Sequence, residues 1–575
     1  MSEKSEARAS SASSLFAAHV SRRKLVTGAA LSLGAATLGS RMAFGQSPDK
    51  QPQTGTSPAT PNVLSSTPVP EEVSSNAKAW PVVQGNLQGT RAATDSPINS
   101  GNIAQLKPLW SLPITTSGTF SAITATPVVL DNVVYIQDMQ SNVYAIDFGS
   151  GKQLWRTDLN VPSNGPNGVA VAYGMVFAAT GDTSVAFALD AKTGEKKWEV
   201  PLSNNDFECI DMAPAVYNNV VYISTNPNNT TYGNYRGGAR GILYALDAAS
   251  GKTLWSFDTA KDNLWGMPRV NSGAGLWYPP SFDEEGNIYM GTGNAAPYPG
   301  NNEFPSGSSR PGPNDYADSL VSLDPATGAV RWSLNAKPHD LFDHDFQNSP
   351  ALVTVTLNDT PTLIAIGSGK TGTVMAADAK TGAMLWKTAV GKHQNDQLQQ
   401  LPPGTTEVYP GGSGGIQSPG AFGDGKYFAP YRNKPSYFTP SNADTSVQTI
   451  DMSEESGGLA AVDAVTGEIV WDVEIPSVVV AGATVVNDVV LTGSLDGYVR
   501  GFNVKDGTKV WEYFAPAGLN APFAVAGDTL VFAPTAPYIP HVSTGGTPAP
   551  ATESKAATPT SSTPKPQVMA LKLQS

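Results

Sequence analysis

Short stretches of alternating apolar and polar residues recur along most of the chain. Val133–Ile136 and Val220–Ile223 are two examples, and each precedes a copy of the same turn motif. Alternation with a period of two is typical of a β-strand that buries one face. The hydrophobic pattern therefore predicts an all-β protein built from many short strands.

The turn motif is a repeat. It reads Ala-x-Asp-x-x-(Thr/Ser)-Gly-x-x-x-Trp, and its copies end at Trp155, Trp198, Trp255, Trp332, Trp386, Trp471 and, in a degraded form, Trp511. The aspartate can bond its own turn, the glycine can take a positive φ, and the tryptophan brings a large apolar surface to the next strand. One copy with its neighbouring strands makes a four-stranded antiparallel blade, so the repeat predicts a β-propeller.

An eighth blade is predicted from the two ends of the chain. Trp110 has no turn motif before it, whereas Val568–Leu573 resembles the strand that precedes the motif elsewhere. Pairing of these strands would close the ring and remove the exposed edges of an open array. We therefore predict an eight-bladed β-propeller with tryptophan-docking repeats over residues 79–575, closed by the C-terminal and N-terminal strands. Residues 535–566 are expected to form a low-complexity loop within the last blade.

The first residues have the features of an export signal. Ser21–Leu25 contains a twin-arginine pattern, an apolar run continues to Leu38, and Ala43–Gly45 offers a cleavage point. The apolar run is too short to span a membrane. Residues 1–45 are therefore predicted to be a twin-arginine signal peptide, and the mature protein is expected in the periplasm or outside the cell without a transmembrane anchor. The Ser/Thr/Pro-rich residues 46–78 are predicted to be a disordered spacer.

Charge and cysteine content narrow the possible partners. The formal net charge of −13 argues against nucleic acid or an anionic membrane surface as a partner. Cys209 is the single cysteine, so an intrachain disulfide is excluded and the thiol is expected to be buried and inert.

Several stretches resemble the quinoprotein (PQQ-dependent) alcohol dehydrogenases. Ser96–Trp110 is similar to the first segment of these enzymes, and Leu276–Asn294 to the segment that carries a cofactor-floor tryptophan and a metal-binding asparagine. Lys337–Asp345 resembles their Pro-His-Asp-x-Trp-Asp-Tyr motif, and Gly367–Gly382 the strand that carries a quinone-binding cation. The resemblance spans nearly the whole chain from Trp80.

The resemblance implies a role for five residues. Trp277 would stack on the ring plane of PQQ, and Lys370 would bind the quinone carbonyls. Asp343 would be the catalytic base and a metal ligand, together with Asn294. Asp345 occupies a position where family members that use lanthanides carry an extra carboxylate ligand, so calcium or a lanthanide is the implied ion.

The implied activity is oxidation of an alcohol or polyol. The cation would act as a Lewis acid on a quinone carbonyl, while Asp343 takes the proton of the substrate hydroxyl. The chain has no Cys-x-x-Cys-His haem attachment motif. Electrons would therefore pass to a separate external acceptor.

The chain also departs from the family pattern. Tyr232–Gly241 stands where the family has a metal-binding glutamate but contains no carboxylate, and the vicinal cysteine pair of many members is absent. Pro166–Gly168 replaces a segment whose arginine clamps a PQQ carboxylate, for which Arg236, Arg240 or Lys392 could substitute. These departures favour an alternative, a catalytically inactive propeller that acts as a binding or assembly module at the cell envelope. A His/Asp metal cluster without PQQ, within His339–Asp345, is a further alternative.

Overall fold

The alternating apolar strands pair into successive four-stranded sheets. The computed structural model describes residues 60–228, 237–444, 446–447, 451–540 and 565–574. In these ranges, seven sheets of four strands and one of five strands follow one another along the chain, and we number them 1 to 8 by their first strands. The all-β prediction is confirmed.

The strands of sheets 1 to 6 and four strands of sheet 7 pair antiparallel in chain order, whereas sheet 8 pairs antiparallel with the N-terminal strand Leu106–Pro113 in the last place. Sheets 1 to 4 consist of Val128–Leu130, Val133–Gln137, Val143–Asp147 and Gln153–Thr157; Ala170–Ala172, Met175–Thr180, Val185–Asp190 and Lys196–Pro201; Ala215–Tyr217, Val220–Ser224, Ile242–Asp247 and Thr253–Asp258; and Ser281–Phe282, Ile288–Gly291, Ser319–Leu323 and Val330–Asn335. Sheets 5 to 8 consist of Ala351–Leu357, Thr360–Ser368, Thr373–Asp378 and Met384–Ala389; Ala421–Gly423, Lys426–Asn433, Ser456–Asp463 and Ile469–Ile475; Val479–Val486, Val489–Ser494, Tyr498–Asn503 and Lys509–Phe514; and Ala524–Ala526, Thr529–Phe532, Gln567–Leu573 and Leu106–Pro113. The fifth strand of sheet 7 is Ala92–Ala93, which runs parallel to Val479–Val486.

The remaining elements are short and lie between these sheets. The small sheets pair Glu208–Cys209 with Asn226–Pro227, Ser272–Gly273 with Ala295–Ala296, Gly518–Leu519 with Pro534–Ala536, and Thr406–Val408 with Ser436–Thr439 and Asn442–Ala443. Helical turns occur at Glu71–Ser75, Ile103–Gln105, Lys261–Trp265 and Pro305–Gly307. None of these helical turns is long and apolar enough to cross a membrane.

The repeated motif forms the turn between the third and fourth strands of sheets 1 to 7. In sheet 1, Asp147 Oδ1 accepts a hydrogen bond from Ser150 N at 2.8 Å, and Gly151 has a φ of 71°. Trp110 donates its indole N–H to the Phe148 carbonyl at 2.7 Å, and a Cβ on Gly151 would lie 2.6 Å from the Trp110 ring. Glycine is therefore required both for its backbone conformation and for the close approach of the ring.

The same contact recurs from each sheet to the next. In each case the indole N–H donates to the carbonyl of the residue that follows the turn aspartate or asparagine. The tryptophans that make this bond are Trp155, Trp198, Trp255, Trp332, Trp386 and Trp471. Sheets 1 to 6 are thus each bonded to the turn of the following sheet, and sheet 8 to the turn of sheet 1, which is why a local motif also specifies how neighbouring sheets pack.

Sheet 8 combines strands from both ends of the described chain. Gln567–Leu573 pairs antiparallel with Leu106–Pro113 on one side and with Thr529–Phe532 on the other. Residues 541–564 lie outside the described ranges, as do residues 1–59, where the signal peptide and the first part of the spacer are predicted.

The chain packs against the sheets from residue 60, before the predicted boundary at residue 79. Asn62 N donates to Asp247 Oδ2 at 2.5 Å, and Leu64 N donates to Asn219 Oδ1 at 2.8 Å. Residues 80–93, which we call the inner segment, then follow the first strands of several sheets. Its carbonyls accept hydrogen bonds from Val129, Phe282, Leu352, Phe422 and Val485, on sheets 1, 4, 5, 6 and 7.

The up-and-down strand order gives each sheet two different ends. The turns of the repeated motif lie at one end, which we call the turn end. The connections between second and third strands, and the links from one sheet to the next, lie at the opposite end, which we call the loop end. The predicted site residues all lie in loop-end segments.

Candidate active site

The five predicted site residues come from four connections of adjacent sheets. Trp277 lies in the link from sheet 3 to sheet 4, and Asn294 lies between the second and third strands of sheet 4. Asp343 and Asp345 lie in the link from sheet 4 to sheet 5, and Lys370 follows the second strand of sheet 5. Because these sheets are neighbours, residues up to 93 positions apart in the sequence meet at one loop end.

Lys370 is the centre of the cluster. Its Nζ lies 3.0 Å from Asp343 Oδ2, 2.5 Å from Asp345 Oδ2 and 4.4 Å from the centroid of the Trp277 ring. Burial opposes the charge of this lysine, but the two carboxylates outweigh it and raise the pKa of Lys370 above its ordinary value. The lysine is therefore a permanent cation over an aromatic face.

Asp345 connects the lysine to the asparagine. Its Oδ1 accepts a hydrogen bond from Asn294 N at 2.7 Å, and the side chain is fully buried. Asn294 Nδ2 donates to the Ala295 carbonyl at 3.2 Å. With its nitrogen bonded in this way, the side-chain acceptor that Asn294 offers to a cation is its amide oxygen.

Asp343 is the carboxylate of the cluster that remains accessible. Its side chain is 18% exposed, whereas that of Asp345 is 0% exposed. Burial raises the pKa of Asp343 to about 7, with Asp345 adding to the rise and Lys370 opposing it. A carboxyl group whose pKa is near neutrality can accept a proton from a substrate and release it again at physiological pH.

Two glycines leave space beside the carboxylates. A Cβ on Gly293 would lie 2.9 Å from Asp345 Oδ1 and 3.6 Å from Trp277 Nε1. A Cβ on Gly412 would lie 3.1 Å from both Cβ and Oδ2 of Asp343. No sequence motif indicated a role for either glycine. The available signal was their position, since Gly293 directly precedes Asn294 and Gly412 lies in a run of glycines.

These residues fit a planar anionic quinone and a hard cation. Trp277 is half-buried and supplies an aromatic ring, and Lys370 supplies positive charge 4.4 Å from its centroid. The carboxylates of Asp343 and Asp345 and the amide of Asn294 are oxygen ligands of the kind that Ca²⁺ and similar ions prefer. Gly293 would lose the necessary space if it carried a side chain.

The cluster contains two carboxylates, Asp343 and Asp345, as ligands for a cation. Among the described residues, no group of three or more His, Cys, Asp or Glu side chains has a metal-binding arrangement. Residues 229–236, which include Arg236 and part of the stretch without the family glutamate, lie outside the described ranges.

The two histidines of the Lys337–Asp345 motif are held by backbone carbonyls. His339 Nε2 lies 3.1 Å from the Ser306 carbonyl, and His344 Nε2 lies 2.8 Å from the Pro410 carbonyl. Burial lowers the pKa of His344 to about 4. Asp340 accepts hydrogen bonds from the backbone of Phe342 and His344. These contacts give the histidines a role in shaping the link, and they do not favour a His/Asp metal cluster.

The proposed substitutes for the carboxylate-clamping arginine have other contacts. Arg240 is ion-paired with Asp258, and Lys392 Nζ lies 3.6 Å from the centroid of the Tyr409 ring. Asn167, in the Pro166–Gly168 segment, is buried and donates to the Asp138 carbonyl at 2.8 Å. None of these contacts involves the lysine–carboxylate cluster.

Cys209 is buried, as predicted. Its thiol donates to Asp211 Oδ2 at 3.1 Å, and burial raises the pKa of the thiol well above its ordinary value. A thiol in this state is unreactive.

Successive four-stranded antiparallel sheets with a polar cluster at their loop end define an all-β protein of the β-propeller class. Residues 202–397 match the family described as "Glucose/ethanol/alcohol dehydrogenase, beta-propeller domain". Residues 100–296 and 424–538 match the family described as "Outer membrane protein assembly factor BamB". The chain belongs to the PQQ-type β-propeller repeat family that these two models describe, and its resemblance to the PQQ-dependent alcohol dehydrogenases is confirmed.

Individual relatives agree with this assignment. A putative dehydrogenase XoxF of Paracoccus denitrificans is 26% identical, over 77% of this chain and 84% of the relative. The crystal structure of quinohemoprotein alcohol dehydrogenase from Comamonas testosteroni aligns with a TM-score of 0.71 at 21% identity, over 87% of this chain and 81% of that chain. A europium-containing methanol dehydrogenase aligns with a TM-score of 0.67 at 19% identity, over 80% of this chain and 90% of that chain. The two structures have the same fold as this chain.

Proposed function

We propose that the protein is an exported quinoprotein oxidoreductase that oxidises an alcohol or polyol with PQQ and a calcium or lanthanide ion. The observation that carries this proposal is the cluster in which Lys370 lies within 3.0 Å of Asp343 and within 2.5 Å of Asp345, over the ring of Trp277. A structural ion pair would not require an aromatic face, two flanking glycines and a carboxyl group with a pKa near neutrality.

Each residue has a distinct part in this proposal. Trp277 forms the floor against which PQQ stacks, and Lys370 lies beside the quinone carbonyls. Asn294, Asp343 and Asp345 hold the cation through oxygen atoms. When bound, PQQ supplies a two-electron acceptor and the cation a Lewis acid.

Asp343 acts on the substrate. Its accessible carboxylate would accept the proton of the substrate hydroxyl. Lys370 keeps its charge throughout, because its pKa is raised by the two carboxylates. It therefore stabilises negative charge that develops beside it without a change in its own protonation.

The proposal extends to the architecture and the cellular location. We infer that sheets 1 to 8 are the eight blades of one ring, closed through the strand pairing of sheet 8 and held by the tryptophan contacts between sheets. Export by the twin-arginine pathway would deliver the folded protein to the periplasm or the exterior. Electrons would then pass to a separate acceptor.

Reconstitution tests the proposed function. Purified protein is titrated with PQQ in the presence of Ca²⁺ or La³⁺, and binding is followed by tryptophan fluorescence and turnover by dye-linked alcohol oxidation. We expect saturable quenching that is lost in Trp277→Ala. Trp511→Phe, which changes a repeat tryptophan away from the cluster, is the matched control and should bind as the native protein does.

The alternative is a cofactor-free binding or assembly module of the cell envelope. It is favoured by the match of residues 100–296 and 424–538 to an assembly-factor family and by the missing carboxylate in Tyr232–Gly241. The absence of quenching and turnover with PQQ and every metal tested would overturn the dehydrogenase proposal in favour of this alternative.

A further inference from the structure

Arg91 in the inner segment is a fully buried cation whose hydrogen-bond acceptors are all uncharged groups. The side chain is 0% exposed, and its hydrogen-bond acceptors within the described ranges are carbonyls, hydroxyls and an amide. The guanidinium donates to the carbonyl oxygens of Ala483 at 2.8 Å, Val83 at 2.8 Å and Phe523 at 3.2 Å, to Gln84 Oε1 at 3.0 Å, and to the hydroxyls of Thr484 at 3.1 Å and Thr126 at 3.4 Å.

A buried charge without a carboxylate partner is costly, so the contacts it makes need a structural reason. Burial lowers the pKa of Arg91 to about 10, and the group therefore stays charged at neutral pH. Its acceptors include Thr484 in sheet 7, Phe523 directly before sheet 8 and Thr126 directly before sheet 1. The arginine thus joins the sheets on both sides of the sheet that combines the two ends of the chain.

A chain of buried hydrogen bonds continues from Arg91 toward the site. Gln84 Oε1 accepts from Arg91, and Gln84 Nε2 donates to Ser349 Oγ at 3.0 Å. Ser349 Oγ in turn donates to the Pro279 carbonyl at 2.5 Å. Gln84 is 5% exposed and Ser349 is 4% exposed, so water does not compete strongly for these bonds.

The two final residues of this chain belong to the segments that carry the site. Pro279 is two residues after Trp277, and Ser349 is four residues after Asp345. The charge of Arg91 also affects Tyr278, the residue after Trp277. Burial raises the pKa of Tyr278 to about 12, and the positive charge of Arg91 opposes this rise. The inner segment is therefore connected through Ser349 to the segment that carries Trp277.

We propose that Arg91 and Gln84 are positioning residues, which hold the Trp277 floor and the Asp343–Asp345 link in register through Ser349. This inference rests on the proposed function, in which Trp277 stacks on PQQ. An aromatic floor binds a planar ligand well only when its ring is held in a fixed plane.

Two variants that break the hydrogen-bond chain test this proposal. Arg91→Met removes six hydrogen bonds from a buried site and is expected to fold poorly, so Gln84→Met and Ser349→Ala are the informative changes. Thr126→Val is the matched control, because it removes the longest Arg91 contact and leaves the chain to Pro279 intact. Two readouts are used: the Kd for PQQ with Ca²⁺ from tryptophan fluorescence, and amide hydrogen exchange of residues 273–282 in the protein without added PQQ.

We expect the Kd to rise about tenfold in Gln84→Met and in Ser349→Ala, as for other residues that orient a ligand-binding group. Exchange of residues 273–282 should also accelerate in both, whereas Thr126→Val should keep both values within twofold of the native protein. If the native protein binds PQQ and the two variants show unchanged Kd and exchange, the positioning role is wrong and the proposed function stands. If the native protein fails to bind PQQ with any metal, the proposed function fails and this inference fails with it.

Discussion

Two aspartates at opposite ends of the sheets, Asp190 and Asp343, have opposite electrostatic properties. At the turn end, the pKa of Asp190 is lowered to about 2, first by the hydrogen bond from Lys197 and then by backbone N–H groups of its own turn. At the loop end, burial raises the pKa of Asp343 to about 7 and that of Asp211 to about 6. The residue type is the same, and its surroundings decide whether it holds a charge.

This difference distinguishes an aspartate that stabilises the fold from one that can take part in proton transfer. Asp190 is ionised and engaged by its turn, so it stabilises the fold and has no proton to exchange near neutral pH. Burial brings the pKa of Asp343 close to neutral pH, so this aspartate is available for proton transfer. The glycines differ in the same way, since Gly151 makes room for a tryptophan of the protein whereas Gly293 leaves space beside a carboxylate.

Replacement of Asp343 at the loop end and of Asp190 at the turn end should have opposite effects on turnover and on stability. Asp343→Asn is expected to lower turnover of the reconstituted protein about a thousandfold, which corresponds to about 4 kcal/mol, because it removes the proposed base. Its thermal unfolding midpoint should not fall. Asp190→Asn, the turn-end counterpart, should keep full turnover and lower the midpoint; equal turnover of the two variants would contradict the comparison.

Removal of the loop-end cation, in contrast, should lower the stability of the protein. Lys370→Met leaves the carboxylates of Asp343 and Asp345 buried without their partner, and we expect the free energy of unfolding to fall by about 3 to 4 kcal/mol at pH 7. Denaturant unfolding measures this change. The double variant with Asp343→Asn should recover part of the loss, and a double variant no more stable than Lys370→Met would show that the carboxylate pair is not the cause.

A buried loop-end aspartate also predicts a pH dependence of stability. Because burial raises the pKa of Asp211 to about 6, the folded protein keeps this proton between about pH 4 and pH 6 while the unfolded chain releases it. The contribution of Asp211 to the free energy of unfolding is therefore complete below about pH 4 and is lost as the pH rises to 6. The loss is up to about 3 kcal/mol.

Comparison with Asp211→Asn isolates this contribution. The difference in unfolding free energy between the native protein and the variant should change with pH over this interval and become constant above it. A pH-independent difference would show that Asp211 titrates normally in the folded protein.

The smallest effect separates the two requirements on a turn glycine. Gly251 has a φ of 72°, and its Cβ would lie 2.7 Å from the Trp198 ring, whereas Gly174 has a φ of 70° and open space around a Cβ. We expect Gly251→Ala to lower the free energy of unfolding by about 2 kcal/mol and Gly174→Ala by about 1 kcal/mol. Equal losses in denaturant unfolding would mean that the tryptophan yields without cost.

Much of the fold could be predicted because the repeat is local. Asp147, Ser150 and Gly151 form their turn with one another, and the tryptophan that covers Gly151 lies in another strand of the same type. Contacts before residue 79 follow from no local pattern: the backbone N–H groups of Asn62 and Leu64 donate to the side chains of Asp247 and Asn219 of sheet 3.

The sequence by itself determined the all-β class, the repeated turn and tryptophan contact, and, through a family resemblance, the five residues of the candidate site. The tertiary structure decided that Lys370 lies between Asp343 and Asp345, that the pKa of Asp343 is near neutrality, and that Arg91 is connected to the site floor through Gln84 and Ser349. The physical reason is that strand alternation and turn conformation depend on neighbours in the chain. Burial, charge and hydrogen-bond partners depend on residues that only the packing of the sheets brings together.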